Sequence, residues 1–272
     1  MMPNKTELFI VTYAKDYPWL VYCLRSIAKF ATGFSGVTIL VPHQDLAALL
    51  KLAEPASTAL PFPVRCVSGE EWPGKGMLFH MAQKMRADEW CPAADFVCHI
   101  DPDCVFTAPV TPETFIRYGK PILQYERFDS ILLRHEAVLT WKLATEKCLP
   151  FDIHFETMRQ HGETYDRQTY RTARELVEQK NWLPFDAYVK SCKNDFPQTF
   201  CEFVTLGNVA IQCFADKYHL VDNALKPNPD KGDFPIFQAW SHASPDQPVD
   251  LWYRGKQIRI IPLDFYKELG LA

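Results

Sequence analysis

The sequence has no long apolar run. None of its stretches approaches the roughly 18–20 residues that a helix needs to cross a bilayer, and Met1 to Lys5 is polar, with no basic start followed by an apolar segment. Neither a membrane span nor a secretory leader is expected. Basic charge is not in excess either. Lys and Arg number 29 against 33 Asp and Glu, a net charge of −4, which argues against a surface built as a whole to hold nucleic acid and leaves only a local basic groove. The nine cysteines, at 23, 66, 91, 98, 104, 148, 192, 201 and 213, include no C-x-x-C pair. A structural zinc site needs such paired spacing. The number is odd, and several, such as Cys98, lie in apolar stretches, so buried free thiols in a reducing cytoplasm are the expectation. Internal repeats, low-complexity tracts and a clear linker are also lacking.

What is present is ordinary globular material. Hydrophobic residues make up 47% and charged residues 23% of 272, enough for one large domain with a real core. Glu7–Tyr13, Val37–Val41, Val64–Val67 and Asp95–Ile100 read as buried strands. Between them, Leu20, Leu24, Ile27 and Ala31 recur at helical spacing, His43–Leu52 is helical, and Gly76–Trp90 carries Met77, Leu78, Met81 and Met85 on one face. Strand and helix thus alternate, which predicts βαβ units and an α/β fold with a mostly parallel central sheet flanked by helices. After residue 111 the pattern loosens. Ile122–Tyr125 reads as a strand, Glu136–Glu146 and Tyr170–Gln179 as helices, and prolines punctuate the loops. The expected organisation is a single domain over 1–272, in which 1–110 binds a nucleotide and 111–272 an acceptor.

The segment Asp95-Phe-Val-Cys-His-Ile-Asp101-Pro-Asp103-Cys-Val-Phe106 is the most informative. A D-x-D tripeptide alone is usually a pair of solvated loop carboxylates. Directly after a buried strand of a parallel sheet it lies where ligands gather. There Asp101 and Asp103 offer hard oxygens to Mg²⁺ or Mn²⁺, and such an ion can bridge a diphosphate. Pro102 stiffens the turn between them. Gly74-Lys75-Gly76 precedes a helix. Glycines let a backbone approach a phosphate and Lys75 adds a point charge, although the spacing is no Walker loop and an ordinary surface turn reads equally well. Asp16 is placed to cap the helix that Pro18 enters. Arg167, Arg171 and Arg174 share a helical face, either as i,i+4 partners of Glu175 and Glu178 or as a stripe toward an anionic acceptor. His99 is assigned to sheet packing.

In FVCHIDPDCVFTAP the chain resembles glycosyltransferases of the GT-A fold, whose signature is an apolar strand, then Asp-x-Asp, then a short apolar stretch. More narrowly it resembles a bacterial and phage glycosyltransferase-like family through Thr12-Tyr-Ala-Lys-Asp16, Gly74-Lys75-Gly76, Asp101-Pro-Asp103 and Glu202-Phe-Val-Thr-Leu-Gly207-Asn208, which span about residues 7–242. Only the D-x-D element is fairly specific, and the Gly74 segment departs most from the pattern. The resemblance implies a Rossmann-like GT-A fold and a metal-dependent transfer from a nucleotide sugar, a UDP-sugar first, to a hydroxyl of a glycan, a lipid-linked sugar or a modified DNA base. It places the nucleotide base at Thr12 and Tyr13, with Tyr13 either stacking on it or serving the core, and lets Asp16 touch the base or only cap the helix. It implies a metal site completed by His242 and Glu202 as the general base of an inverting reaction, with Asp195 and Asp186 in reserve. Two other classes remain open. A haloacid-dehalogenase-type phosphohydrolase also reads strand then D-x-D, but places it near the N-terminus and needs a later Lys and a paired acidic motif. A non-catalytic nucleotide-sugar-binding module would share the site without the turnover.

Overall fold

The structure is a computed structural model that describes residues 4–159, 161–195, 200–226, 234–239, 244–253 and 256–272. In the first hundred residues β1 (Thr6–Val11), β2 (Gly36–Pro42) and β3 (Val64–Gly69) are joined by α1 (Tyr17–Phe30) and α2 (Leu46–Ala59). The helices α3 (Gly76–Lys84) and α4 (Ala87–Trp90) then lead to β4 (Phe96–His99). Beyond the acidic pair come β5 (Cys104–Phe106), α5 (Pro112–Phe115), β6 (Ile116–Arg117), β7 (Lys120–Arg127), α6 (Phe128–Ile131), α7 (Leu139–Cys148), β8 (Phe155–Glu156) and β9 (Thr164–Asp166). The chain closes with α8 (Arg167–Asn181), α9 (Phe185–Ser191), α10 (Glu202–Phe214), β10 (His219–Asp222), β11 (Ile236–Gln238), β12 (Val249–Tyr253), β13 (Lys256–Ile260) and α11 (Pro262–Glu268).

The central sheet has the order β3-β2-β1-β4-β9. The first four strands are parallel and β9 runs antiparallel to β4. The expected mostly parallel sheet is therefore present, with one reversed strand at its edge. Every residue of β2 is buried, as a strand covered on both faces requires. Alternation sorts the side chains of β1: Leu8 and Ile10 pack with Leu20, Leu24 and Ile27 of α1, whereas Phe9 and Val11 pack with α3, α8 and α10.

Two elements differ from expectation. The helix predicted over 76–90 breaks between α3 and α4, and at the break the Met85 carbonyl accepts from Arg174 Nη1 at 2.6 Å. Residues 202–214, which read only as an apolar stretch, form α10, buried along most of its length. The helix predicted over 170–179 extends to α8, where Asp166 Oδ1 caps the start by accepting from the Gln168 N–H at 2.9 Å.

The arginine stripe is structural. Arg174 turns inward onto Asp88 at 2.6 and 3.0 Å, Arg171 pairs with Glu175 at 2.8 Å, and Arg167 donates to the Pro92 carbonyl at 2.6 Å. All nine cysteines are free, and only Cys213 is exposed. Among the described residues no helix is long and apolar enough to cross a membrane.

Candidate active site

Past the end of β4 the chain turns sharply. The Cys104 N–H donates to the Asp101 carbonyl at 3.0 Å, closing a turn with Pro102 at its second position. β11 pairs antiparallel with β5 and fixes the second carboxylate, since Gln238 Nε2 donates to Asp103 Oδ1 at 3.2 Å and the Ala239 N–H donates to the Asp103 carbonyl at 3.0 Å. Asp103 is buried.

α3 lies across the carboxyl ends of β1 and β4. His80 Nε2 meets the Val11 carbonyl at 2.8 Å, and one turn later Lys84 comes from the same helix face. The Lys84 ammonium stands 2.7 Å from Asp101 Oδ1 and 3.1 Å from Glu202 Oε1, and 4.4 Å from the centre of the Phe203 ring. One ammonium therefore separates the two carboxylates that the resemblance assigned to metal and catalysis. Burial alone would drive the proton from Lys84, but Asp101 and Glu202 more than reverse this and hold it well above the usual lysine range. In return, the Asp101 carboxyl, which burial would raise, is brought down to about 2 chiefly by Lys84.

The reversed strand brings two more groups here. With β9 antiparallel to β4, the residues entering β9 flank those leaving β4, and the His99 N–H donates to the Glu163 carbonyl at 2.9 Å. Burial, and then the Asp101 charge, push the Glu163 carboxyl well above its usual range. Burial lowers His161, which also senses Asp101.

Thr12 directly follows β1 and is wholly buried, with its Oγ1 enclosed and without a hydrogen-bond partner among the described residues. Tyr13 follows in extended backbone, half-exposed, with the Lys15 ammonium 4.5 Å from its ring centre. Asp16 is buried beside them and makes no side-chain cap on α1, so the capping role is not the one it plays. Lys75 is not brought to the carboxylates. It precedes the start of α3, whereas Lys84 ends it, about 13 Å away at 1.5 Å per residue, and its ammonium donates to the Lys190 carbonyl. Of the reserves, Asp186 pairs with Arg86 at 2.9 Å and Asp195 is exposed. His242 lies outside the described residues. His99 packs among Phe9, Tyr165, Tyr170 and Phe203, in keeping with sheet packing.

Lys84, His161 and Glu163 carry no motif. A lysine closing an amphipathic helix reads as solvated, and the two residues before β9 become neighbours of Asp101 only through an antiparallel pairing that local pattern does not reveal.

The acidic pair suits a hard divalent cation. Asp101 Oδ1 is enclosed and already faces the Lys84 ammonium at 2.7 Å, so a cation bound there would share that oxygen with Lys84 or use the other carboxylate oxygen. Among the described residues no third His, Cys, Asp or Glu joins the two, so a cation held by the pair would need further ligands from a diphosphate, water or elsewhere in the chain.

No protein-family model and no curated protein sequence matches the chain. Solved structures do. An active-site mutant of LgtC aligns at a TM-score of 0.56 and 10% identity, over 97% of this chain and 95% of that one. The galactosyltransferase LgtC in complex with donor and acceptor sugar analogues aligns at 0.54, with the same identity and coverage. Mouse xyloside xylosyltransferase 1, in its apo form, aligns at 0.43 and 10% identity over 80% of this chain and 85% of that one. At such identity the likeness to LgtC is one of architecture, and on it the chain has the GT-A fold of these glycosyltransferases.

Proposed function

We propose that the chain is a metal-dependent glycosyltransferase that moves a sugar from a nucleotide-sugar donor, a UDP-sugar first, to a hydroxyl acceptor. One observation carries this reading: Asp101 and Asp103 stand just beyond the carboxyl end of β4, next to the end of β1, in a sheet of this fold. Nucleotides bind at that edge of such sheets. The two carboxylates would hold Mn²⁺ or Mg²⁺, and His242 joins them on the strength of the sequence resemblance. When bound, the cation neutralises charge that builds on the diphosphate as the sugar departs. Tyr13 offers a half-exposed ring to a base, while Thr12 and Asp16 are buried beside it. The free thiols suit a reducing compartment, and we place the protein in the cytoplasm.

In the transfer, an acceptor oxygen attacks the anomeric carbon, its proton passes to a base, and the nucleoside diphosphate leaves. With Glu202 as that base, attack comes from the face opposite the diphosphate and the product is inverted. A second reading, retention, is favoured by Lys84. It ties Glu202 Oε1 to the Asp101 side of the site, where the carboxylate can stabilise positive charge on the sugar ring while a phosphate oxygen takes the proton. Proton NMR of the fresh product reads the anomer directly and separates the two. Glu202→Gln should cost ~10²–10⁴-fold in turnover as a lost base.

The test of the broader proposal is calorimetry of UDP and its sugars with and without Mn²⁺. Wild type should bind in Mn²⁺, and Asp103→Ala should lose that binding while remaining folded. Equal affinity in both proteins would remove the metal-site assignment. Nucleotide-sugar binding with no turnover against any acceptor would identify a binding module, and release of phosphate from phosphoesters would identify a phosphohydrolase. In Mn²⁺, affinity should fall as pH drops through roughly 6.5, since imidazolium cannot coordinate, and His242→Ala should remove that step.

A further inference from the structure

The elements that hold Asp103 also enclose a tyrosine. A small apolar cluster joins Trp19 of α1, Val105 of β5, Phe237 of β11, Ala239 just after it, and Tyr266 of α11. Two of these residues border Asp103 directly: Val105 follows it on β5, and the Ala239 N–H donates to the Asp103 carbonyl at 3.0 Å. α11 is fastened to the cluster at several points. The Phe265 ring centre lies 4.7 Å from that of Phe237, and the Tyr266 ring centre 4.7 Å from that of Tyr22 on α1. Just beyond α11, Arg25 Nη1 donates to the Leu271 carbonyl at 2.8 Å and Lys29 Nζ to the Leu269 carbonyl at 2.6 Å. Tyr266 is therefore held against α1 and β5 and does not swing.

Its hydroxyl is the unexplained group. Tyr266 is wholly buried, and its hydroxyl is enclosed without a hydrogen-bond partner among the described residues. An enclosed donor left unpaired is costly, and a phenylalanine would fill the same space without that cost. The groups within electrostatic reach of the phenol are Asp103 first, then Cys104, Cys23 and Tyr22. Burial pushes both thiols up, so they stay uncharged. Asp103 is the one carboxylate among the four, and an O–H donates more strongly to a carboxylate than to a neutral group. A carboxylate accepts at about four lone-pair sites, so Gln238 on Oδ1 does not exhaust it.

We infer that Tyr266 is a positioning residue for metal ligation, its hydroxyl donating to the Asp103 carboxylate, directly or through one bridging water, and so aiming that carboxylate at the cation. This rests on the metal-dependent reading above. Carboxylates that hold a metal are themselves hydrogen-bonded, and losing such a partner typically costs about 10–100-fold in metal affinity. Asp101 has its partner in Lys84. Asp103 has Gln238 on β11, and Tyr266 adds a second donor from α11. Each carboxylate then meets the cation already oriented, with less freedom left to lose on binding.

Tyr266→Phe keeps the ring and removes only the hydroxyl. Calorimetry of UDP on the full chain should show affinity at low Mn²⁺ falling about 10–100-fold and recovering as Mn²⁺ is raised, because the defect lies in holding the cation. A hydroxyl with a purely structural task would lower the melting temperature and leave the Mn²⁺ dependence of binding as in wild type. A fluorine label on the Tyr266 ring alone gives a second measurement with the hydroxyl in place. Its NMR line should broaden when Mn²⁺ and UDP are added and stay sharp with Mg²⁺ and UDP, since only Mn²⁺ is paramagnetic. Unchanged affinity in Tyr266→Phe, or a loss that Mn²⁺ does not restore, overturns the inference and leaves the metal-dependent reading in place. So does a fluorine line that stays sharp in Mn²⁺ and UDP, even if Tyr266→Phe fails to fold. Wild type that binds UDP equally with and without Mn²⁺, or not at all, overturns the metal-dependent reading and this inference with it.

Discussion

Removing the Lys84 ammonium would leave Asp101 and Glu202 facing each other with no cation between them. Breaking a buried pair in this way costs ~3–5 kcal/mol. The Asp101 side chain keeps 27% of its surface open to water, which screens part of that loss, so Lys84→Met should fall to the lower end, about 3 kcal/mol, by urea unfolding at pH 7. Adding Glu202→Gln removes the repulsion and should restore a good part of it. If the double variant is no more stable than the single, the ammonium does not hold the carboxylates together. His80 gives the pH dependence. Burial, then Lys84, pushes it down to about 4 from 6.5. The unfolded chain takes up this proton first as pH falls, so stability is full above 6.5, declines by about 1.4 kcal/mol per pH unit per such group, and levels off near 4. His99 and His161, lowered mainly by burial, act in the same sense. Asp101 adds its own loss only between 3.8 and about 2. Glu163 and Glu156, raised by burial, act in the opposite sense, so the test is differential: between pH 7 and 4.5 wild type should lose more stability than His80→Gln.

Two helices decide how the site is assembled. α3 delivers its last residue to Asp101, and α10 delivers its first, so an error in either helix moves a charged group. Gly207 is the tight point of α10: a Cβ there would lie 2.1 Å from Thr157 Oγ1, in a fully buried contact. Gly207→Ala should cost roughly 1–3 kcal/mol by overpacking. It should also lower transfer more than the loss of folded protein explains, because Glu202 rides on the displaced helix. Turnover measured per folded molecule, with folding followed by circular dichroism, checks this. A drop no larger than the unfolded fraction would uncouple Gly207 from Glu202. The first four strands and the acidic turn were legible in the sequence because parallel strands buried on both faces are runs of apolar residues, as in Leu8–Val11 and Val37–Val41, and Asp101 follows such a run. α10 was not, because Glu202–Ala210 is buried without a break, and a largely apolar run of that kind does not declare itself helix or strand. Lys75 lies at the start of α3 and Lys84 at its end, and only packing reveals that it is the end of α3 that meets Asp101.

The whole molecule responds to its ligand through linkage. At a hundred times the dissociation constant, a ligand that binds only the folded chain adds about 2.7 kcal/mol. Because Lys84 already occupies Asp101 and no third ligand joins the pair among the described residues, Mn²⁺ alone should shift the melting temperature little and Mn²⁺ with UDP much more. Equal shifts with and without UDP would show that the cation needs no diphosphate. The antiparallel edge strand has another consequence. β9 enters the sheet about 65 residues after β4, and a chain ending before it would leave the outer edge of β4 bare, a template for pairing between copies. Tyr118, 86% exposed at the tip of the β6–β7 hairpin with φ of 55°, marks a place where the chain can be cut with little disturbance. The first piece would keep Thr12, Lys84, Asp101 and Asp103, and the second Glu202 and β9. Neither would hold a complete site. Expressed separately, the first should aggregate. Co-expressed, the two should recover nucleotide binding by complementation, so that catalysis would report the meeting of two polypeptides.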